Sequence, residues 1–193
     1  MSEHFTFKPL TSAEWPDFVA LFEEHGPQNG CWCMYWRARR ADVHRHFGEG
    51  NKMAFKQILD SGKIPGILAY LGGKPVGWCS VAPREDFPVL DRSRTLQRVD
   101  DQPVWSIVCF FISKPYRRQR ITTVLLKAAI QYAKDNGAKI VEAYPLKNEI
   151  AKDWPFERYM GIESTFEKAG FKVVLRKSDR RPVMRYYLFP ETQ

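Results

Sequence analysis

Three arginines stand close together at the predicted start of a helix, in the segment Tyr116-Arg117-Arg118-Gln119-Arg120. The first amide groups of a helix have no acceptor inside it and lie at the positive end of its dipole. Amides and guanidinium groups arranged in this way suit an anion with several phosphate oxygens, such as a pyrophosphate. A solvated basic turn without a ligand is the alternative interpretation.

A second candidate for chemistry is Glu142, which is the one carboxylate in the apolar run Lys139–Tyr144. It falls at the carboxyl end of a predicted strand, where ligands gather in open α/β sheets. Partial burial would raise the pKa of this carboxyl group and suit it to accept a proton. A structural glutamate paired with an arginine at the rim of the sheet is equally consistent with the sequence.

The elements that must position these residues are two strands and the helix between them. Val104–Ile112 is almost continuously apolar, which predicts a strand buried on both faces. From Ile121 the apolar residues recur at helical spacing, and Asn136-Gly137 provides a left-handed stop. A second apolar run, Ala138–Pro145, follows at once. Two buried strands joined by one helix predict a right-handed crossover and therefore parallel strands.

Composition narrows the class of protein. The chain has 193 residues, of which 44% are hydrophobic and 14% aromatic, so we expect one globular domain over residues 1–193. We expect no membrane span, because no run of about 18 apolar residues occurs, and no secretory signal in MSEHFTFKPL.

Cys79 and Cys109 fall in apolar strands, which is typical of free thiols and favours the cytoplasm. The net charge of +8 admits nucleic acid, an anionic membrane surface or an anionic small ligand as partner.

The remaining segments predict a mixed order of strands and helices. They are a strand at Phe5–Pro9, a helix from Trp15 closed by Gly26, a broken helical region at Ala41–Lys63 with Asn51 as a cap, a hairpin over Gly66–Val81, a long polar segment Pro83–Pro103 whose charges are mostly solvated, a short helix ended by Gly170, and two antiparallel strands at Phe171–Leu175 and Pro182–Leu188. No repeat or linker interrupts them.

The segment Asn29–Arg37 is unusual because it holds two cysteines, two tryptophans and a tyrosine. A metal site would combine Cys31 and Cys33 with a nearby histidine, but Cys-x-Cys is not the usual zinc spacing and no second cysteine pair follows. A redox pair is a further reading. We favour packing or the lining of a pocket, and therefore predict no metal.

The strand, basic turn, helix and strand together resemble the acyl-CoA-binding core of the GNAT (GCN5-related) N-acetyltransferases. That family binds pyrophosphate with a turn of the form Arg/Gln-x-x-Gly-x-Gly/Ala, which matches Arg117-Arg118-Gln119-Arg120-Ile121-Thr122. Arg120 stands at the first glycine position and Thr122 at the second. The order of the flanking elements is also similar. The resemblance implies an α/β, GNAT-like acyl-CoA N-acyltransferase fold, with a mixed twisted sheet flanked by helices.

The resemblance also implies which residues bind the substrates. The two parallel strands part, and the pantetheine arm of the cofactor lies between them. The residues expected to bind acetyl-CoA are Cys109, Phe110, Phe111, Ile112, Arg117, Arg118, Gln119, Arg120, Ile121, Thr122 and Thr123. The residues expected to shape the acceptor pocket are Trp32, Tyr35 and Trp36.

The implied reaction is transfer of an acetyl group from acetyl-CoA to a primary amine by direct attack. Glu142 would take the proton of the amine. Phe166 occupies the position of the family's proton-donating tyrosine, so Tyr159, Tyr144, Ser164 or solvent would protonate the departing thiolate. We expect Cys109 to be inert rather than to carry the acyl group.

Two other classes of function stay open at this point. A non-catalytic acyl-CoA- or ligand-binding module would have the same fold, and Arg120, Thr122 and Phe166 favour it. A nucleic-acid-binding protein would explain the net charge, but no alternating basic and aromatic platform is present, so we expect nucleic acid not to be the partner. The sequence identifies no acceptor and leaves a homodimer open.

Overall fold

The structure, a computed structural model, describes residues 4–25 and 30–189, so the predicted helix stop at Gly26 lies outside the described residues. Seven strands form one sheet in the order β1-β2-β3-β4-β5-β7-β6. The strands are β1 Phe5–Pro9, β2 Ile67–Leu71, β3 Lys74–Pro83, β4 Trp105–Ile112, β5 Ile140–Ala143, β6 Lys172–Leu175 and β7 Val183–Tyr187. The helices are α1 Trp15–His25, α2 Arg40–Arg45, α3 Glu49–Asp60, α4 Pro88–Asp91, α5 Ile121–Asp135, α6 Asn148–Asp153 and α7 Glu163–Lys168.

The central unit confirms the predicted crossover. Strand β4 is the middle strand of the sheet and pairs in parallel with β5, while the other strand pairs are antiparallel. Helix α5 connects β4 to β5, and Gly137 has the left-handed backbone (φ +82°) expected after it. The apolar stripe of α5, with Leu125 and Ala129 fully buried, packs on one face of the sheet. This mixed α/β sheet flanked by helices is the predicted fold class.

The two faces of the sheet hold separate apolar cores because side chains alternate along each strand. In β2, Ile67 and Ala69 pack with α5, whereas Leu68 and Tyr70 pack with α1 and α3 on the opposite face. Stacked and edge-on aromatic rings from α1 and α3 fill that second core. It lies beneath the segment that carries Cys31 and Cys33.

One local prediction was wrong. Helix α3 begins at Glu49, so Asn51 lies inside the helix; it is buried and donates to the carbonyl oxygens of Gly30 and Val43. Most charges of the segment after β3 are exposed, as predicted. Arg84 is the exception at 1% exposure, because it reaches the buried carboxylate of Glu142.

Among the described residues, none of the helices combines the length and the hydropathy needed to cross a bilayer.

Candidate functional site

Strands β4 and β5 part after three paired residues. Trp105, Ser106 and Ile107 pair with residues 141–143, after which β5 ends while β4 continues to Ile112. A register shift against β3 leaves Val108 without a partner, which is the signature of a β-bulge. Within residues 4–25 and 30–189, no strand pairs with β4 on its β5 side beyond the bulge, and this open backbone edge borders a cavity of about 1400 Å³.

The basic turn forms one end of this cavity. Six of the seven turn residues predicted to bind cofactor line it, the exception being Gln119, whose side chain donates to the carbonyl oxygen of Pro115 at 3.2 Å. Among the described residues, the backbone amides from Arg118 to Thr122 have no hydrogen-bond acceptor. The Nε of Arg117 donates to the carbonyl oxygen of Ile112 at 3.0 Å and so fixes the turn to the end of β4. We call residues 117–123 the phosphate end of the cavity.

Arginines hold glycine-like backbone conformations in this turn. Arg118 has φ 65° and Arg120 has φ 60°, both in the left-handed region that costs a non-glycine residue about 1–2 kcal/mol. Arg120 is the residue that precedes the first turn of α5, and its side chain is exposed. The turn thus keeps the backbone shape that glycine provides in the family pattern, at the expense of local strain, and adds a guanidinium group.

The four predicted β4 residues all line the cavity: Cys109, Phe110, Phe111 and Ile112. Phe110 is supported from below by Phe166, whose ring lies edge-on to it at 6.1 Å between centroids and has no exposed surface. The residue at the family's tyrosine position therefore packs in the core and cannot reach the cavity, whereas its neighbour Thr165 lines it.

Three free thiols meet beside β4. Cys31, Cys33 and Cys109 line the cavity, and Cys79 lies buried beneath them. Contact with the Cys33 thiol, reinforced by burial, raises the pKa of Cys109 well above its usual range, and burial raises the pKa of Cys31 to about 12. Thiols in this state are poor nucleophiles. The Nε1 of Trp78 donates to the Cys33 Sγ at 3.1 Å and helps to hold the left-handed backbone of Cys33 (φ 58°).

The opposite end of the cavity is aromatic. Tyr35 and Tyr159 face each other with ring centroids 6.1 Å apart, and Trp36 lies edge-on to Tyr35 at 5.2 Å. The Nε1 of Trp36 is buried near the Tyr159 hydroxyl without meeting the geometry of a hydrogen bond. Burial raises the pKa of Tyr159, although the nearby Arg181 opposes the shift. We call this region, with the arginines described next, the acceptor end.

Arginines from two distant segments lie over the rings of Tyr35 and Tyr159. Arg40 lies over the ring of Tyr35 at 5.2 Å, and Arg181 lies over that of Tyr159 at 5.6 Å. Arg180 and Arg158 also line the cavity, as does one carboxylate, Glu157. Sequence reasoning missed this group, because residues near 40, 157 and 180 share no motif and meet only in the fold.

Trp32 does not lie at the acceptor end. It is buried, stacks on Phe22 at 5.5 Å and is not among the cavity residues, so it supports the aromatic core beneath the site. Its neighbour Cys33 reaches the cavity instead. The left-handed backbone of Trp32 (φ 43°) turns the chain at this point.

Glu142 and Tyr144 lie outside the cavity, which overturns their predicted roles as base and acid. Glu142 has no exposed surface; its Oε1 accepts from Arg84 at 2.7 Å and its Oε2 from Arg185 at 2.8 Å. The Tyr144 hydroxyl, also fully buried, donates to Oε1 at 2.7 Å. A buried carboxylate whose oxygens are occupied by two guanidinium groups and a phenol has no path to a substrate in the cavity. Arg185, which is in register with Glu142 on β7, was the signal in the sequence, since arginine is rare inside an apolar strand.

Across the described ranges, no three histidine, cysteine, aspartate or glutamate side chains converge in a geometry that could hold a metal ion.

Comparison with known proteins places this cleft in a family. Three solved structures illustrate the likeness. An aminoglycoside N-acetyltransferase, AAC(6')-Iy, in complex with CoA is 14% identical over 84% of this chain and 90% of its own, with a TM-score of 0.53. The PaiA N-acetyltransferase of Thermoplasma acidophilum in complex with coenzyme A is 11% identical over 95% and 99%, with a TM-score of 0.51. YncA, a putative acetyltransferase of Salmonella typhimurium with its cofactor acetyl-CoA, is 13% identical over 98% and 96%, with a TM-score of 0.53.

At these identities the solved structures establish the fold, and no curated protein matches the sequence. The sequence model of the acetyltransferase (GNAT) family matches residues 8–161, which run from within β1 to just before α7 and include the phosphate end of the cavity together with Tyr35 and Tyr159. The chain therefore belongs to the GNAT acetyltransferase family.

Proposed function

We propose that the protein transfers an acetyl group from acetyl-CoA to a primary amine by direct attack. The observation that carries this proposal is the parting of β4 and β5 above a turn whose amides have no acceptor. This arrangement provides an anion site at one end and an open strand edge along the cavity. An aromatic pocket with a protonated phenol completes it.

Acetyl-CoA fits the residues that are present. Its pyrophosphate would accept hydrogen bonds from the free amides of residues 118–122 and from the guanidinium groups of Arg117, Arg118 and Arg120. Its pantetheine arm carries amide groups, which would pair with the exposed backbone edge of β4 between Cys109 and Ile112. The thioester would then lie near the bulge at Val108, beside Tyr159.

Tyr159 is the proposed proton donor to the departing thiolate. It lines the cavity, packs against the same apolar cluster as Cys109, and keeps its proton because burial raises its pKa. A backbone amide of β4 on the open side would polarise the thioester carbonyl. No side chain is assigned as base. The amine loses its proton to water through the open cavity, so kcat/KM should follow the pKa of each amine substrate.

Direct attack is favoured over an acyl-enzyme because Cys109 is a poor nucleophile. Its thiol shares a contact with Cys33, and its pKa is raised. Direct attack requires both substrates to be bound at once, so initial rates measured against both concentrations should give intersecting lines. Parallel lines would indicate a covalent intermediate and contradict this part of the proposal.

The experiment that tests the proposal measures CoA release from saturating acetyl-CoA with a broad panel of primary amines. Turnover above the rate without amine is expected, and Tyr159→Phe should reduce kcat about 100-fold, as expected for loss of a general acid. The binding constant for acetyl-CoA should stay unchanged in this variant. Absence of turnover with every amine would refute the proposed acetyltransferase activity.

A second candidate, a non-catalytic acyl-CoA-binding module of the same fold, is favoured by Arg120 in the pyrophosphate turn and by Phe166 at the family's tyrosine position. It predicts that calorimetry detects acetyl-CoA binding while no amine is acetylated.

The contact between the free thiols of Cys33 and Cys109 supports a reducing compartment, so we also propose a cytoplasmic location.

A further inference from the structure

The acceptor end carries more positive charge than its own carboxylate can balance. Four arginines line it, Arg40, Arg158, Arg180 and Arg181, against the single carboxylate of Glu157. Arg180 and Arg181 share that carboxylate, at 2.8 Å and 3.5 Å respectively. Arg158 donates only to backbone carbonyl oxygens. Among the described residues, Arg40 has no anionic partner, although its side chain is held over the ring of Tyr35.

The phosphates of CoA do not account for this charge. The acceptor end lies beside Cys109, which packs with Tyr35 and Tyr159, whereas the phosphate end is fixed to Ile112 through Arg117. Three residues of extended strand separate the two, or about 10 Å. The pantetheine arm that would span this distance is uncharged, so the acceptor arginines face the acceptor.

Partial burial of an arginine strengthens the effect of the unbalanced positive charge on ligand binding. Arg181 is largely buried, and this burial lowers its pKa because water no longer solvates the charge. A partly desolvated guanidinium group binds an oxyanion more strongly than an exposed one does and repels a second cation more strongly. Amines that carry additional positive charge, such as polyamines and aminoglycosides, are therefore poor candidates for this pocket.

We propose that the acceptor is a primary amine that carries an oxyanion close to the amino group, namely a carboxylate or a phosphate, and that Arg40 and Arg181, which lie over the facing rings of Tyr35 and Tyr159, bind that oxyanion. Free amino acids and aminoalkyl phosphates have this chemistry. This inference rests on the proposed acetyl transfer for its kinetic test, and on ligand binding for a second test that does not need turnover.

The kinetic test compares compounds that differ only in charge at one position. For several scaffolds, an L-amino acid is compared with its amide and with its decarboxylated amine, and O-phosphoethanolamine is compared with ethanolamine. The amides are the stricter control, because their amino groups are less basic and react more readily when charge plays no part. At saturating acetyl-CoA, kcat/KM should be at least about tenfold higher for the oxyanion-bearing member, which corresponds to one charge-assisted hydrogen bond. Comparison of the amino acids with O-phosphoethanolamine then shows whether the pocket prefers a carboxylate or a phosphate.

Single substitutions test which arginines cause the preference for oxyanion-bearing amines. Arg40→Gln and Arg181→Gln should each reduce the preference for the oxyanion-bearing compound over its amide about tenfold, mainly through the KM of the oxyanion-bearing compound. Arg45→Gln is the control, because Arg45 lies on the same helix as Arg40, is exposed and does not line the cavity. Preference that survives in both cavity variants would overturn the proposal.

The outcomes distinguish this inference from the proposed function. If amides and decarboxylated amines are acetylated as well as the acids or better, the inference is overturned and acetyl transfer stands. If no compound is acetylated, the proposed acetyl transfer is refuted. Oxyanion binding is then tested by the melting temperature of the CoA-saturated protein with each compound. Oxyanion-bearing amines should then raise the melting temperature where their amides do not, and Arg40→Gln should abolish that rise; equal shifts would overturn the inference.

Discussion

Arg120 provides the most informative perturbation, because it combines a strained backbone with a charge at the phosphate end. Its φ of 60° is a glycine conformation, held by an arginine, immediately before the first residue of α5. Relief of that strain by glycine is worth about 1–2 kcal/mol. The greater freedom of glycine in the unfolded chain offsets about 0.5–1 kcal/mol of it. Arg120→Gly should therefore stabilise the ligand-free protein by about 0.5–1 kcal/mol.

The same substitution removes a guanidinium group from the pyrophosphate site. A charge-assisted hydrogen bond contributes about 1.5–3 kcal/mol, and screening at this exposed position favours the lower value. Arg120→Gly should accordingly weaken acetyl-CoA binding about tenfold while raising the melting temperature by roughly 2 °C. The loss of affinity should shrink as salt is added, because the interaction is ionic.

Arg120→Ala separates the two effects, since it removes the charge but keeps the strained backbone. Calorimetry should give both variants the same loss of affinity, while thermal unfolding should show the glycine variant to be more stable by about 1 kcal/mol. Tighter binding of acetyl-CoA by both variants would show that the arginine crowds the cofactor rather than binding it. Equal stabilities would show that the turn holds no strain.

Three further predictions concern buried groups. Glu142→Gln should lower the free energy of unfolding, measured with urea, by about 3 kcal/mol, because Arg84 and Arg185 lose their shared carboxylate; the folded variant should keep the wild-type pH profile, and a large fall in kcat at neutral and high pH with loss of the acidic limb of that profile would reinstate Glu142 as a base. Cys109 should be alkylated by iodoacetamide at pH 8 more slowly than free cysteine, because contact with Cys33 and burial raise its pKa; mass spectrometry would reveal faster labelling if the thiol were activated. The pKa of Tyr159 is raised from its ordinary value of 10.0, so the phenol stays protonated below that pH and kcat should show no fall up to about pH 10; a decline that begins near pH 8 would exclude Tyr159 as the acid.

The central unit could be predicted from sequence because its signals are local. The apolar run of β4, the helical spacing from Ile121 and the stop at Gly137 each specify one element, and their order specifies a parallel crossover. The residues that line the phosphate end follow from the same local pattern. The left-handed backbone of Arg120 was not predicted, although the residue stands at the first glycine position of the family pattern.

The acceptor end could not be predicted, because its parts meet only through the fold. Arg40, Tyr159 and Arg181 are separated by more than a hundred residues of chain at the extremes, and each alone resembles an ordinary surface residue. Glu142 illustrates the opposite error. A lone carboxylate in an apolar strand indicates either catalysis or a buried ion pair; Arg185 inside another apolar strand favoured the ion pair, which Arg84 completes from a distant part of the chain.

Amide hydrogen exchange with and without acetyl-CoA tests directly whether pyrophosphate binds at the start of α5. The ligand should protect the amides of residues 118–122, which have no acceptor among the described residues, together with those of Cys109–Ile112 along the open edge of β4. Amides of β1 and β2, none of whose residues lines the cavity, serve as the internal reference. Protection elsewhere in the protein without any change at residues 118–122 would contradict the proposed binding of pyrophosphate at the start of α5.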